Sequence, residues 1–241
     1  YKSALLSLAI VSLLGATAVS TSAEARERQD RKSSQKEENR YPDATREEPK
    51  VKGSPKVQKK LQSMVDAYNK DDFAAARALA DEIIATEAAT AYDRSVAGQI
   101  GSQAAYNTDD TAGTIAYLKR AIEENALDNN SHYQLMYMLA GVQLQEDQFA
   151  EGLATLDRYF AETKSQKPED LVLKGQALYQ SERYAEAIPV LKQAIDSSPE
   201  PKDNWLQLLM ASYAEAGQAG EATKLAESIA AKSPDDKKAQ L

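Results

Sequence analysis

From about residue 56 onward, apolar positions recur three and four residues apart, the spacing that holds one face of a helix against a core. The clearest stretch runs from Leu171 to Tyr179, crosses the polar residues Gln180 to Arg183, and continues from Tyr184 to Pro199. It predicts two amphipathic helices joined by a short turn. Pro199 cannot donate a backbone hydrogen bond and turns the preceding residue away from helix, so it ends the second. Gly175 and Ala187 lack bulk where the two axes come closest. Leu178, Ile188, Leu191 and Ile195 fill the space between neighbouring pairs. Pro189 falls inside the second helix, where a local bend is expected.

The unit repeats. Trp205 opens the next one 34 positions after Leu171. Read backward and forward, the small position of the second helix falls at Ala76, Thr114, Gly152, Ala187 and Ala222, with spacings of 38, 38, 35 and 35. Phe73, Phe149 and Tyr184 supply an aromatic at the turn exit, while Thr111 and Gln218 replace it in the other two units. Leu171, Gly175, Tyr184, Ala187, Ala194 and Pro199 together resemble the tetratricopeptide pattern, whose period is 34 residues. The resemblance implies an all-α solenoid of about five helix-turn-helix repeats, a domain of residues 56–241. A bundle of unrelated helical hairpins is the alternative.

The chain begins on Tyr1 rather than Met, and its true start is expected to lie upstream. Lys2, an apolar stretch from Ala4 to Val19, and Ala23-Glu24-Ala25 read as a secretory signal peptide over residues 1–25. The stretch is shorter and more interrupted than the ~20 apolar residues of a membrane span. An uncleaved anchor and a buried helix are the competing readings. The mature chain is expected to start near Arg26, to act in the periplasm, and to carry no transmembrane span. Residues 26–55 hold 9 basic and 7 acidic side chains, punctuated by Pro42, Pro49, Gly53 and Pro55. That composition predicts a disordered charged linker, because little apolar surface offsets the ~1–2 kcal/mol of backbone entropy per ordered residue. At the other end, Pro234 to Leu241 reads as the opening of a further unit, so a longer parent chain is expected.

Composition narrows the chemistry. The 37 acidic and 29 basic side chains leave a net charge of −8, which argues against nucleic acid as a partner. Without cysteine there is no thiolate metal ligand or nucleophile, and one histidine, His132, excludes Ser-His-Asp triads and two-histidine metal sites. His132 is expected to cap or pack at a helix start. Met136 and Met138 read as core or groove filling, and Trp205 as packing. Asp109-Asp110 and Asp235-Asp236 read as turns and caps, since calcium-loop spacing is absent. No enzyme activity, cofactor, metal or small-molecule substrate is expected.

A repeat solenoid lines a groove with its first helices. Near the end of each first helix stand Tyr68, Tyr106, Leu144, Tyr179 and Tyr213, followed by Asn69, Asn107, Gln145, Gln180 and Ala214. Rings give stiff apolar area and carboxamides both donate and accept, so the two ladders suit an extended peptide. The candidate protein-binding residues are therefore Tyr68, Asn69, Tyr106, Asn107, Gln145, Tyr179, Gln180 and Tyr213. Intramolecular packing of the rings is the equal alternative.

Longer segments carry a second likeness. His132 to Ala140, Phe149 to Phe160, Lys174 to Gln180, Ala187 to Lys192 and Asn204 to Leu209 resemble a periplasmic tetratricopeptide family found in TonB-type gene clusters of Gram-negative bacteria. Ser54 to Leu61 is similar to its opening helix. The likeness spans about three quarters of the chain and is weakest around Glu87 to Asn107. It implies an accessory scaffold for TonB-, ExbB- and ExbD-like proteins. A general adaptor of envelope assembly or division has the same fold and different partners.

Overall fold

In a computed structural model that describes residues 38–232, ten helices follow one another as five antiparallel pairs. All lie in one compact unit, Asn39–Leu241. The pairs are α1 (Gln58–Asn69) with α2 (Phe73–Ala85), α3 (Ala91–Tyr106) with α4 (Thr111–Glu123), and α5 (Asn129–Gln145) with α6 (Phe149–Thr163). Then come α7 (Pro168–Gln180) with α8 (Tyr184–Asp196), and α9 (Asp203–Glu215) with α10 (Ala219–Lys232). The signal-peptide reading, the linker before residue 38 and the run from Pro234 lie outside the described residues.

One backbone device recurs in every pair. Asp71, Asp109, Asp147, Glu182 and Gly217 all take left-handed φ, between 52° and 74° along with Asn125 and Lys164 at other helix ends. The five turn residues are 38, 38, 35 and 35 positions apart, the spacings of the small second-helix position. In the Asp-Asp pairs the first residue turns the chain and the second caps the next helix. Asp72 accepts from the Ala75 backbone N–H at 3.0 Å and Asp110 from Gly113 at 2.9 Å. Aspartate tolerates the left-handed region and satisfies first-turn donors, so both positions favour it.

Packing follows the same period. Ala76, Thr114, Gly152 and Ala187 are buried, and Ala222 is half-buried at the end of the stack. First helices also meet first helices, α1 on α3 and α7 on α9, which makes them the inner wall of the solenoid. Overlapping apolar clusters run through all five pairs, centred on Met64 and Ile83, on Leu118, Tyr133 and Met136, and on Leu156, Leu178 and Leu191. Polar ties run between second helices. The Tyr117 hydroxyl donates to Asp81 at 2.6 Å, and Arg77 pairs with Asp110 at 2.5 Å. Burial and the Asp81 carboxylate push the Tyr117 hydroxyl up to about 12. Helix α8 continues through Pro189, which is exposed on its outer side.

The expected linker is described from residue 38 onward. Residues 39–56 form no helix, yet they lie in contact with the helical pairs. Thr45 donates its backbone N–H to the Glu162 carbonyl at 2.8 Å, and Ser54 donates to the Asp93 carboxylate at 2.9 Å. Average composition hid this, because a few well-placed side chains make the contact while their neighbours stay in solvent.

Candidate peptide-binding face

The first helices bring the two ladders to one end of the inner wall, where each helix stops just before its left-handed turn. The rings do not behave alike. Tyr106 is the open one, 40% exposed. Tyr68 is half-buried against Phe73, with ring centroids 5.6 Å apart, and Tyr179 is half-buried against Tyr184 at 5.2 Å. These two edges are thus shared between packing and the wall. Tyr213 departs from the expectation: it is buried among Leu178, Leu209 and Ala216 and offers no ring to a ligand. Leu144, buried against Gly152, interrupts the ladder at the third pair.

The carboxamides remain at the surface. Asn69, Asn107, Gln145 and Gln180 are all exposed. Asn107 closes α3 and donates from Nδ2 to the Gln103 carbonyl at 2.8 Å and to the Tyr68 hydroxyl at 3.3 Å. That second bond joins the ladders of the first two pairs. Of the expected residues, Tyr68 and Asn107 thus join in one aromatic-amide patch, and the exposed Tyr106 stands next to Asn107 in the chain. No hydrogen bond recorded for Asn69, Gln145 or Gln180 links them to that patch.

His132 is fully buried in the first turn of α5, edge-on to Tyr133 at 5.4 Å, and neither ring nitrogen has a hydrogen-bond partner. It packs and does not cap; Asp128 is the cap, accepting from Ser131 at 2.9 Å. Burial, with Arg46 and Arg158 nearby, holds its pKa down at about 3. Met136, Met138 and Trp205 are buried in the core. Among the described residues, no three acidic or histidine side chains are grouped to hold a metal, and no helix is long and apolar enough to cross a membrane.

The sequence profile of the tetratricopeptide repeat matches residues 178–241. That match covers about the last quarter of the chain, and the helical pairs before it follow the same plan. The fold is a tetratricopeptide-repeat solenoid. It is similar to the crystal structure of YrrB, described as a TPR protein with an unusual peptide-binding site, at a TM-score of 0.60 and 14% identity. That likeness covers 74% of this chain and 87% of YrrB. It is also similar to MamA, at a TM-score of 0.59 and 14% identity over 77% of this chain and 96% of MamA. No curated protein matches the sequence.

Sequence reasoning missed the anchors of residues 39–56. Tyr41 is the sole aromatic of the stretch 26–55, and that isolation was the available signal. Its ring stands 5.0 Å from Tyr133 and 6.1 Å from Tyr159, with the Lys167 ammonium 4.8 Å above it. Arg46 donates to the side chains of Asn125 and Asn129, each at 2.6 Å, and to the Leu127 carbonyl at 2.8 Å.

Proposed function

We propose that this chain is a non-enzymatic scaffold of the periplasm that holds an extended segment of a partner protein on the inner wall of its solenoid. The observation that carries the reading is the patch of Tyr106, Asn107 and Tyr68. An exposed ring beside amides gives apolar area and paired donors and acceptors, which is what a peptide backbone needs. Asn69, Gln145 and Gln180 extend the polar side of the same wall. The resemblance to the TonB-cluster family supports TonB-, ExbB- or ExbD-like proteins as the partners, and the Lys2 to Ala25 pattern supports export.

Site-specific photocrosslinking tests this in cells that export the chain. A benzophenone side chain at Tyr106 is expected to capture a TonB-system protein, while one at Lys192 on the outer side captures none. N-terminal sequencing of the exported chain should begin near Arg26. Capture of outer-membrane assembly or division proteins instead would replace the TonB assignment, and equal capture at both positions would remove the groove.

A further inference from the structure

Residues 40–48 run along a different part of the molecule, the edge made by the loops that join one helical pair to the next. The contacts follow this edge in reverse chain order. Arg40 and Tyr41 lie at α5, α6 and the start of α7, Arg46 and Glu48 at the α4–α5 junction, and Ser54 at the start of α3. No residue of 39–56 is buried to the degree of a core side chain: Tyr41, Ala44, Arg46 and Pro49 are half-covered, and Pro42, Asp43, Thr45, Glu47 and Glu48 are exposed. Such a segment is held by a few anchors and opens at low cost relative to the core.

The surface under the anchors is built from buried aromatic rings with polar groups beside them. Tyr133 and Tyr159 form a wall for the Tyr41 ring, and both are at most 1% exposed. Behind them Asp170, 7% exposed, accepts from the Tyr159 hydroxyl at 2.8 Å and from Ser165 at 2.5 Å. The Tyr41 and Tyr159 hydroxyls stand 3.4 Å apart, which joins the segment to that network. At the α4–α5 junction the chemistry is directional. Arg46 meets the carbonyls of Asn125 and Leu127 just past the C-terminal end of α4, and the Asn129 backbone N–H at the start of α5 donates to Glu48 at 3.0 Å. A cation at a helix C-terminus followed by an anion at a helix N-terminus satisfies both dipoles. The segment also crosses the α6–α7 junction, where consecutive helices share the least surface.

We propose that this edge is a second peptide-binding surface, separate from the inner wall, which residues 40–48 fill as a built-in competitor for a partner segment of the same pattern. The partner is an extended protein segment carrying an aromatic residue, an arginine five positions on and an acidic residue two beyond it. The tether keeps the competitor at an effective concentration in the millimolar range, so the edge opens to a partner only when the strap is weakened or displaced. The assignment does not depend on the inner-wall reading, and Tyr106→Ala leaves it untouched.

The probe is a fluorescein-labelled synthetic peptide of residues 39–56, titrated with the whole chain. Wild type is expected to bind it weakly, Arg46→Ala more tightly, and Tyr41→Ala/Arg46→Ala at least tenfold more tightly than wild type. A peptide with alanine at positions 41 and 46 should not bind. Asn125→Gly, which keeps the left-handed backbone and removes the amide, should weaken the peptide again when added to the double variant. Failure of both strap variants to gain affinity while keeping their helix content overturns the proposal. So does loss of helix in both, which would make the strap part of the core. Sedimentation of wild type supplies the remaining arm: a monomer is expected, and a dimer dispersed by the peptide would assign the edge to a second copy instead.

Discussion

Gly175 and Leu191 stand so close that a β-carbon on the glycine would sit 2.5 Å from Leu191 Cγ. Leu191 is fully buried within its cluster, so its neighbours would have to shift with it. Gly175→Ala should therefore lower stability by about 1–3 kcal/mol, the usual cost of overpacking. Urea denaturation reads it, and an unchanged midpoint would show that α7 and α8 can separate freely.

The repeat plan was legible for a reason visible in those two residues. Small and bulky side chains must alternate where axes cross, so Gly175, Ala187 and Leu191 announce the pair in the sequence. The turn and cap roles of Asp109 and Asp110 were legible too, because they depend only on local backbone chemistry. The burial of Tyr213 was not, since its place in the ladder does not say which ring turns into the core. The contacts of residues 39–56 were hidden for the opposite reason. Their order comes from Tyr41 and Arg46 meeting Tyr133, Tyr159, Asn125 and Asn129, roughly 80 to 120 positions away, and no local pattern encodes such a meeting.

His132 makes stability depend on pH. Its folded pKa is held near 3, below the ordinary 6.5, so the fold favours the neutral ring. As pH falls below 6.5 the unfolded chain takes up a proton that the folded chain does not, and stability falls by about 1.4 kcal/mol per pH unit. His132→Leu removes this slope, and it also removes two unpaired buried nitrogens, so stability at pH 7 should hold or rise. Melting curves between pH 7 and about 5 test it; parallel pH profiles for the two proteins would contradict it.

Glu124 acts at lower pH. It accepts from Arg94 Nε at 2.7 Å and Nη2 at 2.9 Å and pairs with Arg120, tying α3 to the end of α4. The Arg94 hydrogen bonds hold its carboxyl below the ordinary 4.5, so the pair stabilises the fold above that value and is lost as pH falls through the depressed one. Glu124→Gln should cost about 1–2 kcal/mol at pH 7, the range for a charge-assisted hydrogen bond lost from a partly buried site. The penalty relative to wild type should shrink below pH 4.5. A constant difference across that range would mean that the carboxylate charge contributes nothing.

The inner wall is tested most directly by the affinity of the whole chain for the partner segment captured at Tyr106. Calorimetry on Tyr106→Ala, Asn107→Ala and the pair, beside their melting curves, supplies the comparison. Each single change should weaken binding by about 1–3 kcal/mol, the range for an interface anchor. Tyr106 is 40% exposed and Asn107 lies at the surface, so the melts should stay close to wild type. Unchanged affinity in the double variant, with its fold intact, would contradict a binding role for this face.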